Sequence, residues 1–237
     1  IISEQEDYLA HWQGVELDVA QIVQSTSFYY PVKTYKEFAN IDPMALLLGG
    51  LSKAREEDVM LFQMVITGAG EKWRVTAQSA AQGITRKDGT VEPLPGRELV
   101  TAKASENGFW TCMRVASNHS QYLGAMANAF GSLNRGDGNG LILKRPILWQ
   151  KNQLHNGLYE RTLEGAPGKQ VFTVSELATI WHMPNNEVKV HNLTWAKNMD
   201  TEAPENLPVA RYMSEEDKQN TSFFARTNVR GEEAVFG

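Results

Sequence analysis

The sequence predicts an α+β domain, an antiparallel or mixed sheet covered on one face by helices, followed by an extended linker. Three observations point there. Strand-period and helix-period hydrophobic patterns alternate along residues 1–195. Gly, Asn, Asp and Pro pairs punctuate them at short intervals. Beyond Trp195 the apolar periodicity gives way to Pro and acidic residues, the composition of a linker. Two ferredoxin-like halves are the alternative arrangement of the same elements.

Taken in order, Ser3 to Ala10 is an acidic lead-in. Val15, Leu17 and Val19 alternate with Glu16, Asp18 and Ala20, the period of a half-buried strand over 14–24, with a helix continuing from Tyr8 as the alternative. Residues 25–40 carry Tyr29, Tyr30, Tyr35 and Phe38, an aromatic connection expected to fold back on the core. Asp42-Pro43 starts a helix, with Asp as N-cap and Pro at the first helical position. Met44, Leu47, Leu48 and Leu51 are its apolar stripe, and Gly49-Gly50 suggests close packing. Val59 to Thr67 reads as a buried strand, apolar on both faces. Gly68-Ala69-Gly70 ends it, and Glu71 to Gln82 is a helix around Trp73.

Lys87 to Gly96 is an exposed loop turning at Asp88-Gly89. Glu98 to Ala104 and Gly108 to Ser117 read as two strands of a hairpin, with Asn107-Gly108 at the turn. Tyr122, Leu123, Met126, Ala129 and Phe130 recur at helical spacing. Leu141 to Leu143 is a short strand, and Ile147 to Leu158 a helical or irregular piece.

Val171 to Pro184, VFTVSELATIWHMP, is the most informative stretch. A strand over 170–172 gives way to a helix whose Thr173 and Glu176 have capping-box spacing. Leu177, Ile180 and Trp181 fall on one helical face, and Pro184 ends the helix. The domain is expected to span 1–195. Residues 196–237 read as a Pro- and acid-rich linker, with Asp200 to Pro208 at its centre, and the start of a following domain.

Composition narrows the function. With 42% hydrophobic residues the chain can bury a core. A net charge of −5 argues against a dedicated DNA or RNA surface, which needs a local excess of Lys and Arg. The one cysteine, Cys112, sits in an apolar run and reads as a small buried residue. No apolar run reaches the roughly 18 residues of a membrane helix.

No catalytic or metal pattern emerges. Asn134 to Gly140 resembles a calcium loop only superficially, because Arg145 stands where the bidentate Glu belongs; it reads as a surface turn. Gly68 to Lys72 lacks the spacing of a phosphate-binding loop. None of the five histidines has a zinc-like partner spacing. His182 is best explained by the helix C-terminus it follows, where a cation suits the macrodipole.

The layout resembles the non-ATPase region of TraG/TraD-like coupling ATPases of type IV secretion and conjugation, in the HerA–FtsK group. The positions that carry the likeness are Asp42-Pro43 with its Leu-rich helix, Gln63 within 59–67, and Arg114 within 109–115. Above all they include SELATIWHMP at Ser175 to Pro184, where members carry a similar EELATLWHFP, and a Pro-rich connector like 203–208. Met183 stands where the family often has Phe. The resemblance implies a cytoplasmic accessory docking domain at the inner face of the cell membrane, with any membrane helices upstream of Ile1, binding other subunits of a DNA-transfer machine. It also implies homo-oligomerisation through the motor. ATP and magnesium belong to the motor domain, and no cofactor is expected in this chain. The candidate interaction residues are Glu176, Leu177, Trp181, His182 and Pro184. Two alternatives stand beside it. One is a free-standing interaction module using Tyr29, Tyr30 and Tyr35. The other is a small enzyme built on a perturbed His182 or Glu176.

Overall fold

The computed structural model describes residues 9, 12, 14–38, 42–51, 54–55, 57–164, 170–183, 214–216, 225–229 and 232–236. The chain divides into two compact units, Ile1–Leu193 and Thr194–Gly237. Pro184 and the expected linker at Asp200 to Pro208 lie outside the described residues.

The first unit is an α+β domain built on one antiparallel sheet rather than two halves. Its centre is β5, Gly108–Ser117. One edge of β5 pairs along its length with β2, Met60–Gly68. The other edge is shared. β7, Val171–Thr173, takes Gly108 to Trp110, and β1, Asp18–Gln24, takes Met113 to Ser117. β6, Leu141–Lys144, pairs with the far side of β1.

Six α-helices among the described residues accompany the sheet: α1 Pro43–Leu51, α2 Lys72–Ala81, α3 Arg97–Ala104, α4 Ser120–Ala129, α5 Lys151–Tyr159 and α6 Val174–Ile180. They cover both faces, which corrects the one-face expectation. On one face Ala20, Ile22, Met113, Val115 and Phe172 meet Met44 and Leu47 of α1, Leu123 and Met126 of α4, and Leu177 and Ile180 of α6. On the other, Val19 and Ala116 meet Leu154 and Leu158 of α5. Farther along that face Val171 and Trp110 meet Trp73 and Ala77 of α2, with Val100 and Ala104 of α3. The signal was present in β5 itself, where the even positions Trp110, Cys112 and Ala116 are as apolar as the odd ones.

Residues 98–104 are helical, not a strand. Val100 and Ala104 are four apart and both buried, so the helix places them together on Trp73 and Ala77. Gly96 opens α3 at φ 67°, and Asn107-Gly108 is consequently no hairpin turn. Gly108 serves close approach instead, since a Cβ there would lie 2.3 Å from the Trp73 ring. β2 is an edge strand within the described sheet and only half-buried, not the buried strand expected. Asp88-Gly89 does turn a small hairpin, β3 Ile84–Thr85 with β4 Val91–Glu92.

Asp42 caps α1, accepting from the Met44 amide at 2.8 Å. Gly49, by contrast, is not a close-packing glycine, because a Cβ there would meet nothing within 4 Å. Gly49→Ala is therefore expected to stabilise the domain by about 0.5–1 kcal/mol in urea melts, from helix propensity alone. Destabilisation there would mean the position is packed.

A polar row crosses the second face of the sheet. Gln63, Arg114, Gln21 and Lys144 are successive cross-strand partners. Arg114 is fully buried without a carboxylate among its described hydrogen-bond partners. It donates to Gln63 Oε1 at 2.8 Å and to the carbonyls of Thr162 and Glu164. Burial holds its guanidinium below its ordinary pKa. Gly157 of α5 makes the room, since a Cβ there would sit 2.4 Å from Arg114 Nη2. Gln63 Nε2 in turn donates to the Leu158 carbonyl at 2.8 Å. The row thus ties α5 and the following turn to the sheet.

The second unit contains an antiparallel hairpin, β8 Ala225–Val229 with β9 Glu232–Phe236.

Candidate interaction site

β7 delivers the chain to the sheet edge and α6 leaves it at once, so the first turn of α6 is buried among three neighbours. Glu176 reaches back to accept the Thr173 amide at 2.8 Å, the bond that the capping-box spacing predicts. It does more than cap. Its Oε1 also accepts from the Val32 amide at 2.9 Å. Lys103 Nζ lies 3.1 Å from both carboxylate oxygens. The same ammonium donates to the carbonyls of Val171 at 2.9 Å and Tyr30 at 3.2 Å. Both side chains are out of solvent. Burial drives the Lys103 pKa down and the adjacent Glu176 carboxylate opposes that.

Two more α6 side chains work the same way. Thr179 accepts from the Tyr35 amide at 2.8 Å and returns its own hydroxyl proton to the Ser175 carbonyl at 2.7 Å. Glu106, on the turn before β5, accepts from the Ser175 amide and hydroxyl. Residues 32–35 are thus gripped by Glu176 and Thr179, three apart on α6. Tyr29 and Tyr30 fold against the α2–α3 cluster as expected, while Tyr35 is half-exposed.

The second half of the motif behaves differently. α6 ends at Ile180, and Trp181 is already extended at φ −141°. Leu177 and Ile180 are core residues, but Trp181 is 52% exposed, against the expectation that it shares their face. Its ring lies against Phe62, 6.1 Å between centroids. Met183 is 89% exposed. His182 is held not by the helix carbonyls but by Asp42, Nε2 to Oδ1 at 2.8 Å, the same oxygen that caps α1. That contact fixes the exit of α6 to the entry of α1. The motif's first half is therefore a buried clamp and its second half an exposed apolar ledge on a fixed base.

A small hollow of about 150 Å³ is lined in part by Lys103, Thr173 and Glu176. The two Glu176 oxygens already face Thr173 N, Val32 N and the Lys103 ammonium. Cys112 is buried, and burial raises its thiol pKa. Among the described residues no group of three His, Cys, Asp or Glu side chains is arranged to hold a metal.

A cleft of about 1010 Å³ lies elsewhere, between Tyr30, the start of α3 at Arg97, and the 134–140 turn. That turn is a surface turn as read, and it is anchored. Asn139 is buried, accepts from the Thr26 and Gly140 amides, and donates to the carbonyls of Ser27 and Tyr30. Arg135 in its wall is paired to Glu37 at 2.6 Å and Asp137 at 2.7 Å. The sequence concealed this cleft because three distant segments build it. Lys103 was missed for a different reason. Read as a helix, residues 97–104 put a cation on the face of Val100 and Ala104, a pattern that asks for a buried partner.

No family model matches the chain, and comparison with characterised proteins and with solved structures finds none similar to it.

Proposed function

We propose that residues 1–193 form an accessory docking domain of a TraG/TraD-like coupling ATPase, making protein–protein contacts for DNA or protein transfer at the inner face of the membrane. The observation that carries the reading is the division of SELATIWHMP into a buried clamp and a presented ledge. Glu176, Leu177 and Ile180 spend themselves on the fold. Trp181 and Met183 do not, and they flank His182, which Asp42 holds. An exposed Trp near a flexible thioether is the composition of a protein-binding anchor. Arg114 and Gln63, two other positions of the resemblance, touch each other at 2.8 Å, so these elements work as one frame. The partners are other subunits of the machine rather than DNA, in keeping with a net charge of −5. ATP and magnesium are assigned to the motor domain.

The test is Trp181→Ser with Met183→Ser in the gene's own host. Transfer frequency is expected to fall at least tenfold, the loss of about 1.4 kcal/mol or more of contact energy. Stability of the purified chain should change by less than about 1 kcal/mol, as for surface positions. Unchanged transfer with the protein intact would reject the ledge as a docking element.

A further inference from the structure

A second exposed apolar feature lies away from that ledge and is independent of the docking reading. Between β6 and α5 the chain reads Lys144-Arg145-Pro146-Ile147-Leu148-Trp149-Gln150-Lys151. Residues Leu148–Gln150 form one 3-10 turn. Leu148 is 85% exposed, Trp149 73% and Ile147 51%. Three adjoining large apolar side chains this exposed are uncommon on a soluble surface. The turn is not a loose loop. The Gln150 amide donates to the Ile147 carbonyl at 2.8 Å, and α5 behind it is seated in the core by Leu154 and Leu158.

The charges around this tip are the second observation. Lys144, Arg145 and Lys151 flank it and are exposed. Arg145 is steadied by donating to the Ser120 carbonyl at 3.3 Å. Glu16 and Asp18 share a hollow of about 340 Å³ with Arg145 and Lys151. Counting these five groups, three cations against two acids leave a local surplus of one positive charge, on a chain of net charge −5. A cationic collar around a protruding Ile-Leu-Trp tip matches an anionic bilayer surface. Trp and Leu enter the headgroup region while Lys and Arg stay with lipid phosphates.

We propose that residues 144–151 are a membrane-contact element that docks this domain directly on anionic lipid. This goes beyond attachment through spans elsewhere in a longer protein. Among the described residues no helix is long and apolar enough to cross a membrane, so the contact is peripheral. The turn lowers its tip into the interface and stops at the collar.

The experiment is co-sedimentation of the chain with vesicles of phosphatidylcholine alone and of equal parts phosphatidylcholine and phosphatidylserine. Binding to the mixed vesicles only, weakened by salt, is the expected result. Leu148→Ser with Trp149→Ser should lower it at least about tenfold, since both side chains are exposed and their apolar area is what enters lipid. Lys144→Gln and Lys151→Gln should each lower it up to about fivefold. A melting curve like that of the unaltered chain checks that each variant folds. Two results would overturn the proposal. One is no binding to mixed vesicles. The other is equal binding by the serine variant.

Discussion

Glu176→Ala is expected to cost the domain about 3–5 kcal/mol, the usual penalty for breaking a buried ion pair from one side. The substitution strands the Lys103 ammonium, which is fully buried and is left with the carbonyls of Val171 and Tyr30 and the face of the Phe172 ring. It also removes the acceptors of the Val32 and Thr173 amides. The loss therefore reaches α3, the 32–35 segment and the first turn of α6 together. Chemical denaturation read by circular dichroism measures it. Replacing both partners, Lys103→Met with Glu176→Leu, should recover much of the loss, because an apolar pair leaves no charge behind. A cost under about 1 kcal/mol for Glu176→Ala would mean that Lys103 escapes to water.

Trp73→Ala should be as damaging, about 3–5 kcal/mol. Trp73 is 2% exposed and fills the space above Gly108 between α2 and α3. Gly108→Ala should cost about 1–3 kcal/mol by overpacking against the same ring. The two changes together should cost less than their sum, because the alanine methyl then enters the cavity left by the indole. Strict additivity would break the link between ring and glycine. Trp181→Ala is the contrast and should cost less than about 1 kcal/mol. Two tryptophans of one sequence differ because one lies inside a helix facing the sheet and the other one residue past a helix end.

That contrast shows what the sequence could carry. Local chemistry was legible: the Asp42 cap, the Glu176 capping bond, the Asp88-Gly89 turn, and the strands at 108–117 and 141–143. Long-range partnership was not. Nothing near Lys103 in sequence names Glu176, 73 residues away. Nothing near His182 names Asp42, 140 residues away. Residues 98–104 misled because a short Val-containing segment fits a strand until the facing Trp73 is known. Asn107-Gly108 misled because glycine serves both tight turns and close approach, and spacing alone does not separate the two. Trp181 was assigned to the core from its i+4 distance to Leu177, yet the helix ends one residue too soon for that geometry to hold.

Whether this domain serves a conjugation-type motor is tested most directly by the gene sequence downstream of the Gly237 codon. A phosphate-binding loop, GxxxxGK followed by Ser or Thr, is expected at the end of a strand in the next hundred or so codons. A stop codon, or an unrelated domain, would contradict it. The clamp and ledge of α6 would then belong to a free-standing interaction module.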